Sequence, residues 1–376
     1  MKVAVVIPTH FNTKSSLHVL LGAYRHLVKT KNIEVTIFTD SKNDIHPKDF
    51  NIEKIKSIDY KTPLEKALFL FGIPRFYYTD LVEKLKGYEV IETSNPEFYF
   101  FACQSYIAAR KYNARLVLRT SQTVEGFFLF NVSKYILVPI AKKAYDYASA
   151  LLFTNPQAAQ RCVNLGLAGY SGKFIITGHG VDTKIFRPIK AKKDKNRIVL
   201  LSVGGLYKIK GHHIIIESLR KTIDSGINNA ELWIVGDGYY KKNLLKLCAN
   251  LGVQDKVKFL GSLEPKKLAG IYNLSDIFVL ANFQEITPAV NEALACGIPV
   301  VVMECGGMDF AIPNENYGLV ANKFDSDDMS RKILRLIKDK RLAEKIAENG
   351  RKYILKNFSL EAYADKLYDG LTRKEK

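Results

Sequence analysis

The chain has 376 residues, 47% of them hydrophobic and 25% charged, and its formal net charge is +18. This length suffices for two domains with substantial cores, and the ordinary charged fraction argues against a disordered chain. The positive charge favours anionic partners, namely phosphorylated small molecules, acidic membrane surfaces or nucleic acid, but a solvated lysine-rich surface explains it equally well.

Cysteine usage and the absence of targeting patterns predict a cytoplasmic protein. The five cysteines show no CxxC spacing and are expected to be reduced core residues. The apolar run at residues 2–7 is too short for a secretory signal. No run of about 18 apolar residues predicts a membrane-spanning helix. Because neither cysteines nor histidines have metal-ligand spacing, we expect no metal and no other cofactor.

Short apolar runs alternate with helical patterns in the first half of the chain. Strands are predicted at 2–7, 33–38, 88–92, 114–118, 150–154 and 174–177. Helices are predicted at 15–29, 63–72, 76–86, 98–112 and 132–147. Continuous apolar strands that alternate with helices are typical of a parallel sheet covered on both faces.

The same order restarts after 186–197, a charged stretch without periodicity that we interpret as a linker. Strands are predicted at 197–203, 230–235, 256–260, 276–280, 298–302 and 317–320. Helices are predicted at 211–224, 239–251, 264–273, 288–296, 308–313, 327–337, 341–355 and 359–371. The sequence therefore predicts an α/β protein of two Rossmann-like, doubly wound parallel-sheet domains, with boundaries at 1–186, 187–357 and a last segment 358–376.

The loop after the first strand of the second domain has features of a phosphate site. Residues 202–213 read Ser-Val-Gly-Gly-Leu-Tyr-Lys-Ile-Lys-Gly-His-His. Gly204 and Gly205 allow a ligand to approach the backbone closely, the following helix offers N–H groups, and Lys210 adds a positive charge. These features suit a diphosphate, and the alternative is an ordinary β–α turn with surface lysines. The Gly-x-Gly-x-x-Gly spacing of dinucleotide-binding loops is absent.

A second candidate lies at 282–299, after another apolar strand. Pro288 suits the first position of a helix, so Thr287 is expected to be its N-cap residue, and the N–H groups of Ala289 and Val290 would be free for a ligand. Glu292 follows among small and apolar residues, where its carboxylate needs a hydrogen-bond donor. A ribose diol is one candidate donor. The alternative is a glutamate that interacts with the helix dipole.

Together the two stretches resemble the family 4 retaining glycosyltransferases of the GT-B fold. The matching segments are 178–188, 203–211, 234–238, 257–261, 292–300, 306–307, 318–320 and 358–361. The resemblance covers nearly all of the chain from about residue 148 on, and the N-terminal half matches in layout only. It implies two domains that face a central cleft, with acceptor binding in the first and donor binding in the second. The last helix would cross back onto the N-terminal domain.

The resemblance also assigns roles to single residues. Glu292 would bind the ribose of the donor, Lys210 would neutralise the diphosphate, and the backbone of 287–290 would contact sugar and phosphate. The turns around Gly236 and Gly261 would frame the nucleotide base. The predicted nucleotide-sugar-binding residues are Gly204, Gly205, Lys210, Gly236, Asp237, Leu260, Gly261, Thr287, Pro288, Ala289, Val290 and Glu292.

Two positions depart from the family pattern. The family usually has Arg where Gly205 stands, so Lys208, or a basic residue of the first domain such as Arg119, is expected to replace that cation. A glutamate is expected at position 284, where Gln284 stands beside Glu285. Either a shifted loop lets Glu285 take the sugar hydroxyls, or Gln284 takes them as a neutral partner. With Lys210, these two are the predicted catalytic residues.

The acceptor side is less well defined by the sequence. The family's Gly-Gly loop in the first domain is replaced by 8–13, in which His10 and Asn12 are candidates to face the acceptor, although a lone loop histidine is more often incidental. Residues 126–147 mix aromatic and apolar residues with lysines and predict peripheral contact with an anionic membrane. The alternative for that segment is a pair of core helices with a basic outer edge.

The resemblance implies an enzyme that moves a sugar from a UDP- or GDP-sugar to a hydroxyl of a saccharide, polysaccharide or lipid-linked saccharide. It further implies retention of anomeric configuration without a metal. One alternative is a catalytically impaired subunit of another transferase, suggested by Gly205 and Gln284. A second is a nucleic-acid-binding protein, disfavoured because no such motif is present and the basic residues are spread over both halves. A GT-B epimerase is a third.

Overall fold

The computed structural model describes residues 1–7, 14–41, 49–58, 77–96, 99–120, 132–169, 172–284 and 287–374, and of 14–16 and 132–138 it describes the backbone alone. The chain divides into two compact units. The first consists of Met1–Gly178 and Tyr363–Lys376, and the second of His179–Ala362.

The first unit is built on a seven-stranded parallel sheet of strand order β3-β2-β1-β6-β7-β8-β9. Its strands are β1 Lys2–Val6, β2 Glu34–Asp40, β3 Asn51–Ile55, β6 Val90–Thr93, β7 Arg115–Thr120, β8 Ala150–Phe153 and β9 Phe174–Ile176. A separate antiparallel pair joins β4 Ser57–Ile58 to β5 Tyr77–Tyr78. The helices are α1 Lys14–Lys31, α2 Leu81–Lys84, α3 Phe100–Tyr112, α4 Val132–Tyr147 and α5 Pro156–Asn164, with the C-terminal helix described below.

The C-terminal helix, α13 Leu360–Thr372, belongs to the first unit over most of its length. Its apolar face, which includes Ala364 and Leu367, is buried in the same core as Val3 and Val5 of β1. Because β1 is buried on both faces, it needs a cover on each side, and α13 supplies part of one. The predicted return of the last helix to the N-terminal domain is therefore confirmed.

The second unit has a six-stranded parallel sheet of order β12-β11-β10-β13-β14-β15. Its strands are β10 Ile198–Val203, β11 Ala230–Val235, β12 Val257–Gly261, β13 Ile277–Leu280, β14 Val300–Met303 and β15 Leu319–Ala321. Its helices are α6 His212–Asp224, α7 Lys241–Asn250, α8 Pro265–Leu274, α9 Pro288–Ala295, α10 Met308–Ala311, α11 Ser326–Lys338 and α12 Lys340–Phe358, and short 3-10 turns span Lys208–Lys210 and Gln254–Lys256.

Both faces of the second sheet are covered by apolar cores. Along β10, Val199 and Leu201 lie in one core and Leu200 lies in the other. A strand buried on both sides has no solvent face, which explains why its sequence is a continuous apolar run and not an alternating one. The predicted fold class, two α/β units with parallel sheets, is confirmed.

The boundaries between the units differ from the predicted ones by a few residues. Val181 and Phe186 are buried in a core of the second unit, and the Val181 N–H donates to the Phe358 carbonyl at 2.8 Å. The predicted linker at 186–197 is also bound to this unit, because the Ile189 N–H donates to Asn273 Oδ1 at 2.8 Å. The chain therefore enters the second unit at His179 and not after residue 186.

Two predicted elements of the first half need comment. The helix predicted at 76–86 is wrong for most of its length: residues 77–78 form β5, and α2 begins only at Leu81, because Asp80 before it is left-handed with φ of 59°, and ends at Lys84. The helix predicted at 63–72 lies outside the described residues. The structure adds β3 and α5, which the hydrophobic pattern did not predict.

Among the described residues, no helix is long and apolar enough to cross a membrane. The five cysteines form no disulfide, and all but Cys305 are buried.

Candidate functional site

Glycine-rich loops follow β10 and β11 at the carboxyl edge of the second sheet, and backbone hydrogen bonds join them. The Gly204 N–H donates to the Val235 carbonyl, and the Leu206 N–H donates to the Asp237 carbonyl, each at 2.9 Å. β10 and β11 are parallel neighbours, so their carboxyl ends lie side by side. The predicted residues of the first two turns therefore share one continuous backbone surface.

Glycine is required in these loops because the chains approach too closely for a side chain. Gly236 has φ of +142°, and a Cβ atom there would lie 1.9 Å from the Gly204 carbonyl oxygen. A Cβ atom on Gly238 would lie 2.5 Å from the carbonyl oxygen of Leu206. The Gly236 N–H also donates to the Gly261 carbonyl at 2.9 Å, which adds the loop after β12 to the same surface.

At Gly205 an aromatic ring takes the space that a side chain would occupy. A Cβ atom on Gly205 would lie 2.6 Å from Cε2 of Tyr207, and the Tyr207 ring lies 5.4 Å from that of Tyr239 between centroids. Both tyrosines are exposed. Among the described residues the Gly205 N–H has no hydrogen-bond acceptor, so it remains available to a ligand.

The lysine turn is bound to the loop that precedes α9. After the 3-10 turn Lys208–Lys210 the chain passes through Gly211, whose Cβ position would be 1.9 Å from the Ala281 carbonyl oxygen. The Phe283 N–H donates to the Ile209 carbonyl at 3.0 Å. The structure thus brings the turn that carries Lys210 against the segment that leads to Glu292.

The start of α9 agrees only in part with the prediction. Pro288 occupies the first helical position and Thr287 is the N-cap residue, in an extended conformation. The Thr287 side chain makes no capping bond, and its buried Oγ1 has no partner among the described residues. The Val290 N–H was wrongly predicted to be free, because the tight first turn bonds it to the Thr287 carbonyl at 3.1 Å. The Ala289 N–H has no described acceptor.

Glu292 is buried in a polar contact that the sequence did not predict. Its side chain is 5% exposed, and the Tyr272 hydroxyl donates to Oε2 at 2.9 Å. The same hydroxyl lies 3.1 Å from the Ala289 carbonyl oxygen. Burial, and then the nearby Glu292 carboxylate, raise the pKa of Tyr272 well above its ordinary value. The phenol therefore stays protonated and acts as the donor to Glu292.

His212, the first residue of α6, lies beneath the glycine loop. It is 1% exposed, and its Nδ1 lies 3.2 Å from Oγ of Ser202. Its Nε2 makes no hydrogen bond of ordinary geometry within the described part of the chain, and it would lie 3.7 Å from a Cβ atom on Gly204. Desolvation lowers the pKa of His212 to about 4, so the ring is neutral at physiological pH.

The remaining candidates of the second unit are only partly described. Gln284 is exposed, and its carbonyl accepts a hydrogen bond from the Gly306 N–H at 3.0 Å. Glu285 lies outside the described residues, so the choice between Gln284 and Glu285 stays a prediction. Asp237 is exposed and Leu260 is half-buried at the same carboxyl edge.

Of the candidate residues in the first unit, the structure describes some and leaves others out. Arg119 donates from Nε to Glu92 Oε1 at 2.6 Å, and Glu92 is fully buried, so the Arg119 charge already has a carboxylate partner. His10 and Asn12 lie outside the described residues. In the described part of 126–147, Ala144 is buried while Lys142 and Lys143 are exposed, which agrees with a core helix that has a basic outer edge.

No group of three or more His, Cys, Asp or Glu side chains in the described ranges could hold a metal ion.

Comparison with known proteins shows a match to one family model over part of the chain. Residues 183–353 match the family model described as Glycosyl transferases group 1, a range that contains every predicted nucleotide-sugar-binding residue. The chain is thus similar to this family over the second unit, and the two-sheet GT-B fold agrees with the match.

Individual relatives are similar at moderate identity. The chain is 26% identical over 242 residues to the lipopolysaccharide core biosynthesis glycosyltransferase LpsE of Rhizobium meliloti, covering 63% of this chain and 68% of the relative. It is 28% identical over 266 residues to the N,N'-diacetylbacillosaminyl-diphospho-undecaprenol alpha-1,3-N-acetylgalactosaminyltransferase of Campylobacter jejuni, covering 65% of this chain and 67% of the relative.

Among solved structures, Anabaena Alr3699/HepE in complex with UDP and glucose superposes with a TM-score of 0.79. The match covers 100% of both chains at 17% sequence identity. At this identity the likeness concerns the fold.

Proposed function

We propose that this chain is a retaining glycosyltransferase of the family 4 type, which transfers a sugar from a UDP- or GDP-sugar to a hydroxyl group of a saccharide or lipid-linked saccharide. The observation that carries the proposal is the carboxyl edge of the second sheet. There, glycine loops, the Lys210 turn and the start of α9 are joined by backbone hydrogen bonds. Parallel α/β sheets bind their ligands at this edge.

The chemistry of the edge suits a nucleoside diphosphate. The Gly205 N–H and the Ala289 N–H have no described acceptor, and Lys210 carries a full positive charge in the adjoining turn. N–H groups at the starts of helices also attract anions, because the helix dipole is positive there. A diphosphate placed on this surface would meet donors that need no rearrangement.

The same groups support departure of the leaving group. As the bond between the sugar C1 and the diphosphate oxygen breaks, its electron pair passes to the diphosphate, and prepositioned N–H groups and Lys210 stabilise the added charge. The acceptor oxygen bonds to C1 on the face that the diphosphate leaves, and its proton passes to a diphosphate oxygen. Since the protein itself supplies the positive charge, the proposed reaction needs no metal.

Glu292 is proposed to receive the hydroxyl groups of the donor ribose, with Oε2 held by Tyr272. Gln284 or Glu285 is proposed to take hydroxyls of the transferred sugar. Both precede α9 in the sequence by a few residues, so ribose and sugar would be bound by neighbouring parts of one segment.

The acceptor is proposed to be a saccharide, either free or linked to a lipid. The Campylobacter relative carries a diphospho-undecaprenol saccharide in its name, which is a lipid-linked sugar. For a lipid-linked acceptor we propose peripheral contact with anionic membranes through the exposed Lys142 and Lys143 of α4.

Thermal unfolding with a panel of nucleotides tests the donor site. A ligand at 100 times its dissociation constant adds about 2.7 kcal/mol to stability, so UDP, GDP or one of their sugars is expected to raise the melting temperature. Glu292→Ala is expected to abolish this rise. Glu344→Ala, which replaces an exposed glutamate of α12, is the matched control and should retain it.

Turnover then separates the enzyme from its alternatives. Release of UDP or GDP from the donor identified by the panel, unchanged by a chelator, is the expected result. Binding without turnover over a full acceptor screen would instead indicate a catalytically impaired subunit. An unchanged thermal shift in Glu292→Ala would remove that residue from the site, and absence of any nucleotide effect on the native chain would refute the proposal.

A further inference from the structure

We propose that His212 is a positioning residue of the nucleotide site, whose Nε2–H donates to the Gly204 carbonyl and thereby points the Gly205 N–H at the diphosphate. This inference rests on the proposed function, since it concerns the same glycine loop. It assigns a task to a buried side chain that the proposed reaction does not otherwise use.

The first step of the argument is the position of the imidazole. His212 is 1% exposed at the start of α6, a helix of 13 residues, and it lies under the loop that follows β10. Its Nε2 makes no hydrogen bond of ordinary geometry among the described residues, although the backbones of Gly204 and Gly205 act on the pKa of the ring as hydrogen-bond partners, and a Cβ atom on Gly204 would lie 3.7 Å from Nε2. A buried polar atom without a partner is costly and rare, so its retention calls for an explanation.

The second step identifies which nitrogen carries the proton. Ser202 is fully buried, and Nδ1 of His212 is the described partner of its hydroxyl, at 3.2 Å. If Ser202 donates to Nδ1, the proton of the neutral ring is on Nε2. The Nε2–H is then the one group of the pair that lacks a hydrogen bond of ordinary geometry. If the ring donates instead, both the serine proton and the Nε2 lone pair lack a partner. The first arrangement leaves fewer unsatisfied groups, so Nε2–H is a donor directed at the loop.

The third step is the geometry of the peptide group between Gly204 and Gly205. Its carbonyl belongs to Gly204 and its N–H to Gly205, and in a trans peptide these two bonds point in opposite directions. The Gly205 N–H has no described acceptor, whereas the backbones of Gly204 and Gly205 lie close enough to the His212 ring to act on its pKa as hydrogen-bond partners. A bond from Nε2–H to the carbonyl therefore fixes the N–H outward, and a phosphate bound to the N–H turns the carbonyl toward His212. The two glycines permit this rotation.

Two substitutions of similar size distinguish the role of Nδ1 from the role of Nε2. In His212→Gln the amide nitrogen reaches the place of Nε2 and retains a donor toward the loop. In His212→Asn the amide reaches the place of Nδ1 and retains the contact with Ser202 alone. We measure the dissociation constants of UDP and GDP, and of uridine and guanosine, for both variants by calorimetry or NMR titration.

The expected result is a weakening of diphosphate binding by about tenfold in His212→Asn and by less than about threefold in His212→Gln, the loss expected for one hydrogen bond. Nucleoside binding should be the same in both, because a nucleoside has no phosphate to meet the Gly205 N–H. If the substitutions damaged the loop in general, nucleoside binding would be weakened as well. Equal dissociation constants of UDP or GDP in the two variants would overturn the proposal.

A measurement on the native chain covers the case in which a variant does not fold. The imidazole ¹⁵N spectrum should show the proton on Nε2, and addition of UDP or GDP should shift that proton downfield as its hydrogen bond forms. A proton on Nδ1, or a signal that nucleotide leaves unchanged while binding is saturated, would overturn the inference and leave the proposed function intact. If neither nucleotide binds the native chain, both proposals fail together.

Discussion

The hydrogen bond between Tyr272 and Glu292 joins two helices of the second unit through buried groups. A carboxylate removed from water is tolerated only where donors replace the lost solvent. The Tyr272 phenol is such a donor, and its raised pKa keeps it protonated over the whole physiological range. One oxygen of Glu292 is thus held by the protein before any ligand arrives.

Tyr272→Phe tests this arrangement, because it removes the hydroxyl and keeps the ring. Loss of a hydrogen bond to a charged group is expected to lower the free energy of unfolding by about 1.5 to 3 kcal/mol, measured with urea. Nucleotide affinity should fall as well, because Glu292 loses its orientation. The control is Tyr239→Phe at an exposed tyrosine, which should leave stability unchanged. Equal stability of the two variants would contradict the assigned contact.

Single residues of the site could be predicted where their role depends on the local backbone. Gly236 and Pro288 are fixed by close approach of the chain and by helix geometry, and the loop pattern indicates them. Tyr272 and His212 were missed because their partners lie on other elements. Whether a buried tyrosine meets a carboxylate depends on which helix faces pack together, and one sequence does not contain that register.

Among the helices, α13 shows how a single element completes a core. Its residues Leu367 and Leu371 are fully buried against the strands of the first sheet. The helix is amphipathic, and its apolar face is buried in this core.

Leu367→Ala is expected to destabilise the first unit by about 2 to 5 kcal/mol, since it leaves a cavity in a closed core. Leu355→Ala, at a 37% exposed leucine of α12, is the control and should cost much less. Chemical unfolding measures the loss of stability, and native-state hydrogen exchange shows in which unit the loss occurs. Faster exchange confined to the second unit would show that the α13 contacts have been misjudged.

Elements with continuous apolar runs could be predicted well, and exposed edges could not. β11 and α4 have the predicted bounds, because burial on one or both faces leaves a clear period in the sequence. β3 was missed because it is an edge strand with the charged residues Glu53 and Lys54. The error at 76–86 has a different cause: the left-handed backbone at Asp80 prevents α2 from beginning before Leu81.

At the scale of the whole molecule, the net charge of +18 is large enough to govern encounters with anionic surfaces. Charge alone does not distinguish a membrane from a solvated surface. The exposed pair Lys142 and Lys143 makes the proposed contact specific to one helix of the first unit.

Vesicles of phosphatidylglycerol and phosphatidylcholine test the membrane proposal by co-sedimentation. Each lysine near an anionic surface contributes about 1 kcal/mol, so Lys142→Glu with Lys143→Glu should weaken binding by at least roughly 30-fold. Added salt should weaken binding of the native chain. The double change Lys266→Glu and Lys267→Glu on α8 alters net charge equally and is the control. An equal loss of vesicle binding in the two double variants would show a nonspecific effect of net charge.

The two-unit architecture could be predicted as a whole because strand–helix alternation restarts after the middle of the chain. The exact division could not be predicted from a charged, Pro-containing stretch. Residues 186–197 have the composition of a linker, yet the Ile189 N–H is bonded to Asn273 of α8. Composition indicates exposure, and it does not indicate which unit an exposed segment is attached to.

The first unit takes its final helix from the far end of the sequence, after the whole second unit has been passed. During translation the ribosome therefore releases residues 179–362 before Tyr363 emerges. The second unit has all of its strands at that moment, whereas β1 still exposes the apolar residues that α13 later covers. Order of synthesis thus favours completion of the second unit first, and it leaves the nascent first sheet as the surface that needs protection from aggregation.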